Sequence, residues 1–465
     1  MSEGTNSTRI AVSAYAVLEA GTARVLQTAR DTGDRLQEMP QLRFRADDNG
    51  HENQLINIYD DVAYQTIEGF GGALTEASAV TIAKLSPARQ QEIIDAYFDP
   101  EHGIGYTLCR SHIQSCDFSL GNYAYVTDGD EGLESFNVDR DRMSILPLIR
   151  RAADKAGSGF RLFSSPWSPP AFMKTNGEMN RGGQLKPEYR QAWADMFVKY
   201  VEAYKQEGIE IWALSVQNEA KAVQTWDSCV YSADEEKDFV RDYLGPALEK
   251  AGYGHIKVMI WDHNKERVYE RARTAFEDAE ASKHIWGICF HWYSGDHFEA
   301  LSAVHDRFPD KALFFSEGCQ EGGVHIGSWN TGERYGHDIL GNLNNWTAGW
   351  TDWNIVLDEQ GGPNHVGNFC DAPIIADTVK DEVIYESSFY YISHFSRYIR
   401  PGAVRIGSSR YTDKLEQTAF RNPDGTIALV VMNRTDAELP YVVRHRGELA
   451  DSSIPAHGIQ TLLFR

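Results

Sequence analysis

EIWALSVQNE, Glu210 to Glu219, opens as an apolar strand and ends on an amide and a carboxylate, Asn218 and Glu219. Short apolar runs that alternate with amphipathic helices are the repeating unit of a parallel α/β fold. Seven more such runs flank this one: TIEGFGGAL (66–74), YTLCRSHI (106–113), FRLFSSPW (160–167), IKVMIWDHN (256–264), IWGICFHWY (285–293), ALFFSEG (312–318) and AGWTDWNIVL (348–357). Between them, stretches such as PARQQEIIDAYF (87–98) and PEYRQAWADMFVKYVEAYKQEG (187–208) place apolar residues three and four apart, and several close on Gly as a helix C-cap does. Eight βα units predict an α/β chain built on a (β/α)8 barrel over residues 63–400.

The flanks change period. RIAVSAYAVL (9–18), ARVLQTA (23–29), RFRAD (43–47) and LINIYDD (55–61) precede the repeat, and AVRIGSS (403–409), LEQTAFRNPDGTIALVVMN (415–433) and YVVRHRG (441–447) follow it. They read as period-two strands with turn signals such as PDG. Residues 1–62 and 401–465 are therefore expected to be β structure outside the barrel.

A formal charge of −22 over 465 residues sets a field that repels nucleic acid and anionic membranes. No run reaches the roughly 18 apolar residues of a membrane span. The opening MSEGTNSTRI has no basic and apolar signal pattern, which makes cytoplasmic location the expectation unless a leader was trimmed. Six cysteines without CxxC spacing are expected to be reduced packing residues.

Active sites of such barrels lie at the carboxyl ends of the strands. Those ends carry Arg110 and His112, Trp167, Asn218 and Glu219, Asp262 and His263, His291, Trp292 and Tyr293, Glu317, and Trp350, Asp352, Trp353 and Asn354. Glu219 and Glu317 end strands four and seven, where two carboxylates can face each other across the mouth. Such a pair suits retaining glycoside hydrolysis, with one group ionised as nucleophile and one protonated as acid, and Arg110 can hold one of them charged. The alternative for the glutamates is ordinary pairing with arginine, and for the aromatics core packing. Five aromatics at one rim favour a sugar site with flat apolar walls. HWYSGDH could offer His291, Asp296 and His297 to a metal, but no HExxH-type spacing supports it. GFGGALTE (69–76) lacks both GxGxxG and the Walker lysine, so no nucleotide site is expected.

Together EGFGGALTEA, RSHIQSCDFS, SPWSPPAFMKTNG, LSVQNEA, FHWY, FFSEGC, WTDWNIVLDEQGGPNHVGNF and FYYISHFSRYIRPG, in this order, resemble glycoside hydrolase family 30 over nearly the whole chain. The resemblance implies a barrel fused to a β-sandwich built from both chain ends, and double displacement without metal or cofactor. It implies Glu219 as acid/base and Glu317 as nucleophile. Asn218, Asp117, Trp167, Trp353 and Asn368 are implied to bind the sugar, and His291 and Tyr293 to bind it or orient the nucleophile with Arg110. Ala220 stands where the family usually has proline, and KAVQTWDSCVYSADEE after it has no close counterpart in the family's lysosomal enzyme. The expected activity is that of a β-glucosidase on a β-linked glucoside or oligosaccharide. A β-1,6-glucanase, a β-xylosidase and a non-catalytic carbohydrate-binding protein remain alternatives.

Overall fold

A computed structural model describes residues 18–465, so all of RIAVSAYAVL except Leu18 lies outside the described residues. Eight parallel strands close into a barrel: Gly69–Ala73, Leu108–Ile113, Arg161–Pro166, Ile211–Ser215, Lys257–Asn264, Gly287–His291, Ala312–Glu317 and Thr347–Asn354. Each coincides with one expected run. Leu108, Phe163, Ala213, Met259, Cys289 and Phe314 fill the barrel interior, one from each of six strands. This is the packed layering of a (β/α)8 core.

The helices follow their sequence signals. Pro87–Phe98 carries proline in its first turn, and Arg190–Gln206 buries Trp193, Phe197, Tyr200 and Tyr204 on one face. The helix Ala233–Phe239 starts on a capping box, with the Ser232 hydroxyl accepting from Glu235 N–H and the Glu235 carboxylate accepting from Ser232 N–H. That cap ends the loop that follows the Asn218–Glu219 pair.

The upper ends of the strands are irregular. In the fifth strand Trp261 pairs with Cys289 and His263 with Phe290, leaving Asp262 as an extra residue. In the seventh, Phe315 pairs with Phe290 and Glu317 with His291, leaving Ser316 extra. In the eighth, Asp352 and Asn354 face Gly72 and Ala73, leaving Trp353 extra. Bulges of this kind re-aim side chains beside sites. Here they turn Asp262, Ser316 and Trp353 toward the barrel mouth. The fourth strand stops at Ser215, four residues short of Glu219.

The flanking strands form a ten-stranded sheet. Its order is Gln37–Arg43, Thr22–Ala29, Gly458–Phe464, Ile427–Asn433, Leu415–Arg421, Val404–Arg410, Leu55–Thr66, Leu439–His445, Glu448–Ile454 and Arg45–Ala46. The sheet folds over a core of Val25, Ile56, Ile58, Leu429, Val431, Tyr441, Val443 and Leu462, so strands from both chain ends make one sandwich. Leu55–Thr66 runs past residue 62 and delivers the chain directly to the first barrel strand. A further three-stranded sheet, Val356–Asp358, Ile374–Asp377 and Glu382–Tyr385, follows the eighth barrel strand, where the sequence reading placed none. The loop between its first two strands carries Asn368 and Cys370 over the barrel mouth.

Candidate active site

Arg110, midway along the second strand, is fully buried and spends its donors on four acceptors. Its Nη1 donates to Glu317 Oε2 at 2.5 Å, its Nη2 to Asn218 Oδ1 and Asp262 Oδ2 at 2.9 Å each, and its Nε to Ser165 Oγ at 3.1 Å. Burial works against the charge, but Asp262 and Glu317 outweigh it, and the guanidinium holds its proton more firmly than usual.

Asp262 is the second hub. Beyond Arg110 it accepts from Ser215 Oγ and Ser316 Oγ at 2.5 Å each and from His291 Nε2 at 2.9 Å. Burial opposes its ionisation, yet Arg110, His291 and Ser215 hold its carboxyl well below the usual carboxylate range. Burial also opposes a charge on His291, and Glu317, Asp262 and Glu219 overcome this and lift it to about 9. At neutral pH the ring is thus an imidazolium, with Nδ1 directed at Glu219 Oε1 at 3.4 Å.

Glu219 and Glu317 meet above this network. A carboxylate oxygen of each and a ring nitrogen of His291 lie within 4.8 Å of one another. Glu317 receives two short donors, Arg110 and the Tyr293 hydroxyl at 3.0 Å, whereas Glu219 has only the longer His291 contact and His263 Nε2 at 3.8 Å. Burial and the Glu219 charge push Glu317 above its usual range against the pull of His291 and Arg110. Glu219 is drawn below its usual range, because His291 and His263 outweigh its burial. Glu219 also sits in the left-handed region, at φ 49°, with its N–H held by the Asp262 carbonyl at 2.7 Å. That backbone conformation is unfavourable for a residue with a Cβ, and it is fixed here by the bulged fifth strand beside it.

A cavity of about 230 Å³ opens over the pair. Trp167 and Trp353 stack at 5.1 Å and 20°, with the Arg110 guanidinium 4.7 Å from the Trp167 ring, and together they form one wall. Asp117 faces it, with Oδ2 taken by Asn368 Nδ2 at 3.0 Å and Asn364 Nδ2 at 3.3 Å. Burial lifts Asp117 to about 8 despite the Asn368 donor. Asn218, Glu219, Tyr293, Glu317, Gln224, Trp226, His263, Asn264, Glu321, Cys319 and Cys370 complete the lining.

Nine of the ten residues singled out from the sequence therefore line this cavity or, for Arg110, grip the residues that do. His291, expected among the sugar-binding residues, is fully buried behind the glutamates with both nitrogens engaged, so its place is a positioning one. Trp292 and Trp350 pack into the barrel wall and leave the rim: Trp350 stacks on Phe315 at 4.8 Å, and Trp292 donates to the Cys319 carbonyl. His291, Asp296 and His297 do not converge. Asp296 pairs with His337 at 3.0 Å, and His297 sits at the N-cap position of the helix Phe298–Arg307 without a side-chain capping bond. The closest ligand-like cluster among the described residues is Glu219, His291 and Glu317, but the Arg110 charge beside Glu317 and the imidazolium itself disfavour a cation there. The sequence reading gave Asp262 no role although it named the residue at a strand end. It gave Gln224 and Trp226 no individual role and expected Cys319 and Cys370 only as packing residues, whereas all four line the cavity.

Comparison with known proteins agrees with this geometry. Residues 67–399 match the glycosyl hydrolase family 30 TIM-barrel domain, and residues 402–462 match the glycosyl hydrolase family 30 beta sandwich domain. The mouse lysosomal acid glucosylceramidase is 35% identical over 432 residues, covering 88% of this chain and 83% of that protein. An endo-1,6-beta-D-glucanase of Neurospora crassa is 28% identical over 421 residues, 85% of each chain. Among solved structures, SrfJ from Salmonella typhimurium superposes with a TM-score of 0.92 at 40% identity over 96% of this chain and 99% of that one. An endo-beta1,6-glucanase superposes with a TM-score of 0.85 at 29% identity, with the same coverage.

Proposed function

The chain belongs to glycosyl hydrolase family 30, and on that premise we propose that it is a retaining β-glucosidase in which Glu317 is the nucleophile and Glu219 the acid/base. The observation that carries this reading is the spacing of the two glutamates. Carboxylate oxygens within 4.8 Å of each other belong to the close class used in double displacement, not to the wider class of about 6.5–9.5 Å that leaves room for a water.

The donor sets supply the division of labour. A β-glucosyl unit enters against Trp167 and Trp353, with its hydroxyls toward Asp117 and Asn368 and its 2-hydroxyl toward Asn218. Its glycosidic oxygen comes to Glu219, and the proton that the unliganded arrangement favours on Glu317 passes to Glu219, where that oxygen gives it an acceptor. Glu317, held by Arg110 and Tyr293, keeps the negative charge and attacks the anomeric carbon while Glu219 protonates the leaving oxygen. Burial keeps the Tyr293 phenol protonated, so it stays a donor throughout. Glu219 next takes a proton from water, which attacks the glycosyl-enzyme and releases β-glucose. Positive charge that develops on the ring is met by Glu317 and by the Asn218 contact to the 2-hydroxyl, which strengthens in the transition state.

A cavity smaller than the roughly 300–1,000 Å³ of drug-sized ligand sites favours one sugar ring at the reacting position and therefore exo action. Gln224 and Trp226 lie where the leaving group would project. An amide and an indole suit a second sugar, so β-1,6-linked glucosyl units are the second reading, supported by likeness to two endo-1,6-glucanases. NMR of the first product tests the mechanism: β-anomer is expected, and initial α-anomer overturns it. A panel of aryl β-glucoside, aryl β-xyloside, gentio-oligosaccharides and glucosylceramide tests the substrate. Absence of glucoside turnover alongside xyloside turnover overturns the glucose assignment.

A further inference from the structure

Two of the six cysteines differ from the others in where they lie. Cys109, Cys116, Cys229 and Cys289 are sealed in the core at 0% exposure, whereas Cys319 and Cys370 each keep 3% and line the cavity over the glutamates. Their thiols touch. The Cys370 sulfur, followed by burial, pushes the Cys319 thiol well above its usual range, as happens when one thiol of a pair holds its proton against the other sulfur.

Their backbones are already tied together. Glu321 and Cys370 pair as an antiparallel bridge, Asp371 N–H donates to the Gln320 carbonyl at 2.8 Å, and Gly323 N–H donates to the Phe369 carbonyl at 2.9 Å. The segment that leaves Glu317 and the loop that carries Asn368 thus run side by side. Cys319 Sγ also lies 3.5 Å from the Tyr293 hydroxyl, the group that donates to Glu317 Oε1. On the other side, Cys370 is two residues from Asn368, the donor to Asp117. One thiol therefore adjoins the nucleophile's support and the other the loop that orders Asp117.

We propose that Cys319 and Cys370 form an oxidation site within the substrate cavity, closing to a disulfide under a small peroxide and lowering turnover until a dithiol reopens it. The chemistry balances with hydrogen peroxide as oxidant. Cys319 keeps its proton, so Cys370 loses its own and attacks one peroxide oxygen as the thiolate, the O–O bond breaks, and hydroxide leaves as water once protonated. The resulting sulfenic sulfur is attacked by the second thiol, an S–S bond forms as the S–O bond breaks, and a second water departs. The cavity admits an oxidant of this size, while the four sealed cysteines are shielded from it. Closure takes the Cys319 sulfur from the Tyr293 hydroxyl and pins the Asn368 loop, disturbing both the nucleophile's donor and the sugar-binding wall.

The inference rests on the proposed β-glucosidase reading only through its activity arm. The native protein is treated with stoichiometric hydrogen peroxide, alkylated, digested without reduction and mapped by mass spectrometry. A Cys319–Cys370 linked peptide with loss of two of six titratable thiols is expected, and its absence overturns the inference whatever the enzyme hydrolyses. In parallel, the ratio of oxidised to reduced activity on an aryl β-glucoside is measured for wild type, Cys370→Val and Cys319→Ala. A fall of at least tenfold, reversed by dithiothreitol in wild type and absent from both variants, is expected. A linked peptide with unchanged activity, or equal sensitivity in the variants, overturns the regulatory part. Because each ratio is taken within one protein, a variant with altered basal activity still decides it.

Discussion

Ser316 Oγ donates to Asp262 Oδ1 at 2.5 Å, joining the extra residues of two β-bulges on barrel strands that are separated by the strand ending in His291. The bond closes a network in which one ionised carboxylate holds Arg110 and His291, the two cations that border the glutamates. Asp262→Asn keeps the shape and removes the charge. It should lower kcat by about 10²–10³, the scale of losing one preorganised electrostatic group, with little change in KM. Thermal stability should fall as well, because breaking a buried charge pair costs about 3–5 kcal/mol. Steady-state kinetics and melting curves check both. Ser316→Ala, which removes one donor, should cost only about 1–3 kcal/mol. Activity of Asp262→Asn within threefold of wild type would remove the hub from the mechanism.

The two glutamates should separate by leaving group. Glu219→Gln loses protonation of the leaving oxygen, a contribution of about 10²–10⁴ in rate, and the loss should be large for an alkyl glucoside and small for a dinitrophenyl one. Glu317→Gln should be inactive with both. Equal loss of activity toward both substrates in Glu219→Gln would contradict the acid/base assignment.

His291 gives the site a pH signature. Its folded pKa, about 9, lies above the ordinary value near 6.5, so its stabilising contribution is complete below about pH 6.5 and is lost as pH rises through about 9. Urea unfolding of wild type and His291→Asn at pH 6, 8 and 10 should show a stability gap that is widest at pH 6 and smallest at pH 10. The kcat/KM profile should carry an alkaline limb from the same group that the variant lacks. A gap that widens with pH would reverse the assigned sign.

The barrel was legible because apolar strand runs and helical spacing repeat eight times, and polar residues at strand ends announce themselves against apolar neighbours. What lay beyond reach was set by register. A bulge is a two-against-one pairing with no signature in either strand alone, so nothing in IWDHN marked Asp262 as the residue turned inward. Trp353 and Trp350 stand three apart on one strand, so alternation alone puts them on opposite faces, but only the closed barrel shows that Trp353 takes the cavity side while Trp350 stacks on Phe315. Asn368 was placed by its motif, whereas Cys370, two residues on, reaches the site only because the three-stranded sheet folds their loop across the mouth.

Gln224 and Trp226 should govern the leaving group. Their loop is rigid: the Asp227 carboxylate accepts from Ser115 Oγ at 2.6 Å and Asn122 Nδ2 at 2.8 Å, and the buried Lys174 ammonium donates to the Ser228 carbonyl at 2.5 Å. Aromatic contacts are worth about 0.5–1.5 kcal/mol beyond area burial. Trp226→Ala should therefore lower kcat/KM for gentiobiose about 2- to 10-fold more than for an aryl glucoside. A selective gain on glucosylceramide instead would indicate a lipid aglycone.

The sandwich is bolted to the barrel by His394, on the helix Ser387–Ser396, whose two ring nitrogens lie 2.9 Å from Thr461 Oγ1 and Thr28 Oγ1 on adjacent sandwich strands. Among the described residues no carboxylate acts on the ring, and burial pushes its pKa down to about 3. The unfolded chain, with histidine near 6.5, therefore binds more protons than the folded one throughout the interval between. Stability is complete above about pH 6.5 and declines as pH falls toward 3, at about 1.4 kcal/mol per unit from this group. Wild type should lose roughly 2 kcal/mol from this group between pH 6.5 and 4.5. His394→Gln, which offers an amide that does not titrate, should be less stable at pH 7 yet show a flatter acid limb. Because the ring spans both N- and C-terminal sandwich strands, hydrogen exchange at pH 4.5 should open Thr22–Ala29 and Gly458–Phe464 before the barrel strands. Simultaneous opening of barrel and sandwich at that pH would show that the junction does not fail first.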